Sequence, residues 1–269
     1  MQGRVLIIAG SDSGGGAGIQ ADIKSVTGLG GYAMTAITAL TVQDTKGVHE
    51  IYDVPTDFIM DQIRVVVQDI GVDCIKTGML HRVEVVEVVS QAIQQYARQV
   101  PIIVDPVMIA KGGATLLEQS AIGAIKELII PYTTLLTPNI PEASALAGIE
   151  ITTPEEAIVA ARKLSELGPE SVMITGGHLN SHIGIVSDVV LYADDSIEIF
   201  ESKRIETRHT HGTGCTLASS IATGIAGGAG MREAIVQARH YVYQAILNAP
   251  GFGAGNGPLN HAHIFQKNG

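Results

Sequence analysis

The chain is predicted to fold as an α/β protein, with a mostly parallel, doubly wound sheet covered by helices on both faces. Short aliphatic runs alternate with amphipathic stretches along the chain, the pattern of strand and helix in a layered α/β domain. The 269 residues are 46% hydrophobic but only 4% aromatic, with 31 glycines, a balance that suits a tightly turned aliphatic protein better than a sandwich or a bundle. Two short runs near the end of the series break the alternation, as an antiparallel hairpin at a sheet edge would.

Val5-Leu6-Ile7-Ile8-Ala9 is a continuous apolar run of strand length, as expected for a strand buried on both sides. The glycine-rich segment 10–18 follows and opens a helix expected to bury Ile19, Ile23 and Val26 on one face. Thr35-Ala36-Ile37-Thr38-Ala39-Leu40 reads as the next strand, continuing to Val42. Phe58, Ile59, Ile63, Val66, Val67 and Ile70 then keep one face of a helix apolar. Cys74-Ile75-Lys76, Ile102-Ile103-Val104, Thr134-Leu135-Leu136 and Val172-Met173-Ile174 supply further buried strands. Thr153 can cap a helix whose first position is Pro154 and whose capping box is closed by Glu156; it should run to about Leu167. The hairpin is expected over 184–192 and 196–200, around Ala193-Asp194-Asp195. Alanine-rich helices follow at about 214–227 and 231–248, then a loop at 251–257 and a short tail. No linker, repeat or low-complexity tract interrupts the series, so residues 1–269 read as a single domain.

Charge and cysteine usage narrow the function. The formal net charge is −10, and the 17 lysines and arginines are scattered rather than gathered in a stripe, so nucleic acid is not an expected partner. The longest apolar runs are far short of a span, so neither is a membrane. Cys74 and Cys215 cannot form a disulfide framework and no signal segment precedes the first strand, which together point to a reducing cytoplasm.

In open α/β sheets ligands bind beyond the carboxyl ends of the strands, so the polar residues there are the ones to read for chemistry. Thr210-His211-Gly212-Thr213-Gly214-Cys215-Thr216 is a glycine-bracketed loop feeding a small-residue helix. Backbone N–H groups left free at such a helix start favour a phosphate or a developing oxyanion. A thiol in that field is expected to have a lowered pKa; read alone, the loop is a helix start with an ordinary cysteine. Gly16-Ala17-Gly18-Ile19-Gln20-Ala21 fits a relaxed dinucleotide fingerprint, and with it a nicotinamide oxidoreductase, but lies too far beyond the first strand. Gln43 follows its strand and offers a donor and an acceptor together, suited to the edge of a heterocycle; alone it is a turn residue. Asp105, directly after Ile102–Val104, and Glu142, after Asn139, are candidate Mg²⁺ carboxylates, with helix capping the plainer reading of Asn139 and Glu142. Lys111, among glycines, could reach a phosphate on loop closure or simply be solvated. The pairs His209/His211 and His261/His263 lack the cysteine cluster or HExxH pattern a zinc site would carry, and Cys74 reads as a core thiol.

Taken together, residues 10–22 (Gly-Ser-Asp-Ser-Gly-Gly-Gly-Ala-Gly-Ile-Gln-Ala-Asp), 39–43, Lys76-Thr77-Gly78-Met79-Leu80, Val104-Asp105-Pro106-Val107-Met108, Thr137-Pro138-Asn139-Ile140-Pro141-Glu142, Thr175-Gly176-Gly177-His178 and His211–Thr216 resemble the hydroxymethylpyrimidine/phosphomethylpyrimidine kinases of thiamine biosynthesis. The likeness runs in order from Val5 to His261. It implies a ribokinase-like three-layer sandwich, its central, mostly parallel sheet carrying an antiparallel edge hairpin. It also implies ATP- and Mg²⁺-dependent phosphorylation of 4-amino-5-hydroxymethyl-2-methylpyrimidine and then of its monophosphate, in a homodimer. By the family pattern Gln43 and the backbone around Ala17 hold the pyrimidine, in a pocket lined by Gly10, Asp22, Val42, Met79 and Val107. Asp105, Asn139, Glu142, Thr175 and Gly177 fall in the Mg-ATP region, with Asp105 and Glu142 as metal ligands. Gly212, Thr213, Gly214 and Cys215 form the anion hole, with Cys215 where many superfamily members place an aspartate base, and Lys111 assists. One departure stands out: many relatives carry lysine where this chain has Thr175, which cannot neutralise charge. A pyridoxine or pyridoxal kinase is the nearest alternative; Cys215, Gln43 and Met79 favour the pyrimidine.

Overall fold

A computed structural model describes residues 3–108, 116, 118–178 and 184–265. Among these residues nine strands form one sheet in the order β3-β2-β1-β4-β5-β6-β7-β8-β9. The strands are β1 Arg4–Asp12, β2 Tyr32–Gln43, β3 Val48–Asp53, β4 Cys74–Thr77, β5 Ile102–Val104, β6 Leu135–Leu136, β7 Ser171–Ile174, β8 Ile185–Leu191 and β9 Ile197–Lys203. The run β2-β1-β4-β5-β6-β7 is parallel, while β3, β8 and β9 pair antiparallel at the two ends. The hairpin at β8 and β9 stands where the alternation predicts it.

Period-2 alternation explains the layers. On β1, Leu6 and Ile8 enter one core while Val5, Ile7 and Ala9 enter the other; Ile75 and Cys74 divide likewise on β4. The first core is closed by helices α2 Thr56–Asp69, α3 Val83–Tyr96, α4 Gln119–Leu128, α5 Ile140–Ala147 and α6 Pro154–Ser165. The second is closed by α1 Gly18–Gly28, α7 Thr213–Ala226 and α8 Met231–Leu247. Because both faces are covered, the central strands read as unbroken apolar runs. The capping box at Thr153 and Glu156 is present as expected, with Glu156 N–H donating to Thr153 Oγ1 at 3.2 Å.

Two local expectations are corrected. Ile23 is 37% exposed, and α1 instead turns Asp22 and Ser25 inward with Ile19 and Val26, because Asp22 has a buried cation to meet. β2 runs on to Gln43 and turns back into β3, a strand the apolar pattern does not reveal. An edge strand exposed at His49, Glu50 and Tyr52 buries too little on either face to show a period.

Candidate active site

The pocket opens at the carboxyl ends of the parallel strands, has a volume of about 1030 Å³, and extends from β2 to the β8–β9 hairpin. Its first end is built on β1 and β2. The β1–β2 register shifts between Ala9 and Ser11, at Gly10, where a Cβ would run into the Met79 side chain. Beyond the shift Asp12, the last residue of β1, pairs with Thr41 and meets the loop that follows with its carboxylate. Asp12 is 2% exposed and accepts from the N–H groups of Gly14, Gly16 and Ala17 at 2.8, 3.0 and 2.8 Å and from His211 Nε2 at 2.9 Å. Burial works against its charge, but these donors hold it below the ordinary carboxylate range. The glycine loop is therefore wrapped around the chain's own carboxylate. Donors that a dinucleotide pyrophosphate would need at Gly16 and Ala17 are already used, which removes the main support for the fingerprint reading.

Gly10, Ala17, Gln43, Met79 and Val107 all line this end. Val42 does not; strand alternation turns it outward, 55% exposed. Asp22 does not line it either. It has no exposed surface and lies beneath the floor, where Lys76 Nζ approaches its carboxylate oxygens at 3.0 and 3.1 Å and Ser219 Oγ donates at 2.6 Å. Burial raises the Asp22 carboxyl, opposed by Lys76 and Ser219. Burial also disfavours the Lys76 charge, but Asp22, with Asp105 adding, outweighs it and holds the ammonium protonated. Lys76, unlike Asp22, reaches the pocket wall. A lysine inside an otherwise apolar strand was the available signal for this cation.

The middle of the pocket is the start of α7. Gly212 occupies the left-handed region at φ 84°, and among the described residues no side chain caps the helix. Gly212, Thr213, Gly214 and Cys215 line the wall there, presenting the positive end of the helix to the cavity. Gly212 must be glycine: a Cβ would collide with the Gly16 carbonyl. The expected lowering of the Cys215 thiol is reversed. Burial pushes it up to about 12, and the carboxylates of Asp22 and Asp105 add to that against Lys76 and a hydrogen bond from the Gly18 N–H. The helix end is outweighed because it is one of several fields acting on the sulfur.

Facing α7 are two further carboxylates, Asp105 and Glu142, each 5% exposed and both lining the pocket. Burial, with Asp22 adding, pushes Asp105 up to about 6 against Lys76 and the Val107 N–H. Burial and then Asp105 push Glu142 up to about 7, against the N–H groups of Asn139 and Met108. Glu142 and Asn139 also form the capping box of α5, with Asn139 N–H donating to Glu142 Oε2 and Glu142 N–H to Asn139 Oδ1, both at 3.0 Å. The capping reading and the pocket reading therefore hold together. Val107 sits at φ 28°, uncommon for a β-branched residue, held by its N–H on Asp105 and by the following Met108 N–H on Glu142 at 3.2 Å.

The far end is formed by Thr175, Gly177, Arg204 just after β9, and residues from β9 and α8, including Phe200, Val236, His240 and Tyr243. Arg204 Nη1 donates to the Gly177 carbonyl at 3.0 Å, which brings a guanidinium to the turn where Thr175 stands. Asp188 accepts from the Gly176 N–H at 2.8 Å and from Arg239 Nε at 2.8 Å, tying that turn to α8. These residues carry no motif and were not legible in the sequence, although the acid inside Val186-Ser187-Asp188-Val189 marks a strand that meets something polar. Lys111 lies outside the described residues.

A parallel sheet ending in a cleft, with an uncapped helix start opposite paired carboxylates and a buried lysine, defines a phosphotransferase of the ribokinase-like class. The same fold is found in an ADP complex of Bacillus subtilis pyridoxal kinase, with a TM-score of 0.91 at 36% identity over 99% of this chain and 100% of that one. The chain belongs to the phosphomethylpyrimidine kinase family, whose model matches residues 12–260. It is 42% identical to the hydroxymethylpyrimidine/phosphomethylpyrimidine kinase of Bacillus subtilis over 98% of this chain and 96% of that protein. It is 47% identical to the thiamine biosynthesis bifunctional protein ThiED of Geobacter sulfurreducens over 97% of this chain, and spans 52% of that longer protein. No helix among the described residues is long and apolar enough to cross a membrane.

Proposed function

We propose that this protein, acting as one kinase domain, transfers the γ-phosphoryl group of ATP to 4-amino-5-hydroxymethyl-2-methylpyrimidine. In a second round at the same site it phosphorylates the monophosphate to the diphosphate, for thiamine biosynthesis in the cytoplasm. The observation that carries this reading is the placing of the Gly212–Cys215 loop between two ends of one pocket. Gln43 and Met79 mark an end sized for a small polar ring, and the walls of β9 and α8 leave room for a nucleotide. The relatives' names supply the substrate.

Phosphoryl transfer through a loose transition state asks the protein mainly for positioning and charge neutralisation. The acceptor oxygen, that of the hydroxyl in the first round and of the monophosphate in the second, forms the new bond to phosphorus as the bond to the leaving ADP breaks. The N–H groups at the start of α7 and the Lys76 ammonium stabilise the charge on the transferred group. With its thiol raised to about 12, Cys215 is protonated at neutral pH, so we assign it to orienting the acceptor, whose proton passes late to an oxygen of the transferred phosphoryl group. Mg²⁺ fits Asp105 and Glu142, two buried carboxylates that repel one another and offer hard oxygen donors; bound there, it would neutralise phosphate charge. A homodimer is supported by Leu40, Val42 and Tyr52, which are exposed on the β2–β3 edge. The match to a pyridoxal kinase fold favours pyridoxal as a side substrate.

The test offers Mg-ATP with the pyrimidine alcohol, its monophosphate, pyridoxine and pyridoxal to the purified protein, resolving products by mass. Diphosphate formed from the monophosphate is the expected result. An absence of turnover on both pyrimidines would end this reading.

A further inference from the structure

We infer that His211 is a positioning and specificity-determining residue: by donating its Nε2 proton to Asp12 it sets the orientation of the Gln43 amide, and so the hydrogen-bonding edge offered to the substrate ring. The inference rests on the functional reading above for the identity of that ring.

Asp12 Oδ2 accepts from the Gly16 and Ala17 N–H groups as well as lying 2.9 Å from His211 Nε2. An acceptor used in this way requires a proton on the imidazole nitrogen that faces it. That same nitrogen lies 3.2 Å from Gln43 Nε2, which would set two donors against each other. At the other end of the amide, Thr41 Oγ1 lies 3.1 Å from Gln43 Oε1 and 2.9 Å from the Ser11 carbonyl. A hydroxyl has one proton, and spending it on Ser11 leaves two acceptors facing across the Gln43 contact. Turning the amide by 180° exchanges its oxygen and nitrogen and moves nothing else. His211 Nε2–H then donates to both Asp12 and Gln43 Oε1, Gln43 Nε2 donates to Thr41, and Thr41 donates to Ser11. Both mismatches are removed by one rotation.

The consequence is chemical. Gln43, held at both ends, retains one N–H and one carbonyl lone pair, a donor beside an acceptor. An aminopyrimidine edge, with a ring-nitrogen acceptor beside an amino donor, satisfies both. His211 also immediately precedes Gly212, and Gly16 lacks the Cβ that would strike the imidazole. The ring-recognition end and the anion hole are thus joined through one side chain.

The experiment pairs spectroscopy with kinetics. In ¹⁵N-histidine-labelled protein, with the resonance assigned by its loss in His211→Gln, His211 should carry a proton on Nε2 at neutral pH; an unprotonated Nε2 would overturn the inference. His211→Ala should raise the pyrimidine KM on the order of tenfold or more, while the ATP KM stays within about twofold. His211→Gln, whose amide N–H reaches a similar place, should recover part of that loss. An unchanged pyrimidine KM in His211→Ala, or no recovery in His211→Gln, also counts against it. Should the wild-type protein turn over neither pyrimidine, the functional reading falls, and the protonation of Nε2 still decides this one.

Discussion

Lys76 and Asp22 form a bidentate ion pair beneath the pocket floor, Nζ to carboxylate 3.0 and 3.1 Å, with neither side chain exposed to solvent. The two residues are 54 positions apart, on β4 and α1, and Ser219 of α7 completes the cluster. Desolvating two charges is costly, and a buried pair is weak evidence of stability in itself. Its position below the start of α7 argues for a role in holding positive charge under the transferred phosphoryl group.

Breaking this pair separates stability from catalysis. Lys76→Met should destabilise the fold by about 3–5 kcal/mol, because Asp22 is left buried without its counter-charge. The double variant Lys76→Met/Asp22→Leu should recover most of that stability in urea unfolding and none of the turnover. Wild-type kcat in the double variant would show that the Lys76 charge takes no part in transfer.

The protonated state of Cys215 is open to chemical measurement. With its thiol raised to about 12, alkylation by iodoacetamide should be slow at pH 7 and climb without a plateau through pH 9. Cys74, fully buried, should not compete. Cys215→Ala should lower kcat by less than about 100-fold, the lower range for a working general base. A plateau in alkylation near neutrality would restore the base role.

Asp105 and Glu142 give the unliganded protein a defined pH dependence. Their pKa values of about 6 and about 7 lie above unfolded values near 4. The stability they contribute is therefore complete below about pH 4 and lost as the pH rises through 6 to 7, on the order of 3 kcal/mol for each carboxyl. Glu142→Gln, whose amide oxygen can still accept from Asn139, should melt higher than wild type at pH 7.5 and no higher near pH 4. The rise in Tm caused by Mg²⁺ should shrink in that variant.

Gly212→Ala tests the anion hole directly. The residue is at φ 84°, and a methyl group would meet the Gly16 carbonyl, so the loop must shift. A loss of about 1–3 kcal/mol in stability is expected from the strain. The fall in kcat should be larger, on the order of 100-fold or more, as for a displaced oxyanion donor. Unaltered kcat with a lowered Tm would separate the loop from the chemistry.

Much of the architecture was legible in the sequence. Val5–Ala9 and Ile102–Val104 could hardly be anything but strands buried on both sides, and Thr153 with Glu156 marked the start of α6. Gln43, Asp105 and Gly212–Cys215 could be placed in one cleft, because strand ends converge there in this class of sheet. The edge strand β3 is not legible, since its exposed residues leave no period to read, and the spacing that turns Ile23 inward is overridden by Asp22. The far wall of the pocket, from Phe200 to Tyr243, is made of residues that are ordinary in their local context and become a surface only when β9 meets α8.

Sequence alone determined the buried central strands and the helices with a clear apolar face, and which side chains stand at the ends of those strands, because those follow from local periodicity and chain geometry. Tertiary structure decided the states of the groups so placed: Cys215 protonated rather than ionised, Asp22 paired with Lys76 rather than lining the pocket, Asp12 bound to His211 across 199 positions. Each of these depends on desolvation and on charges and donors from several elements at once. Such fields sum over distance in space, which the order of residues along the chain does not record.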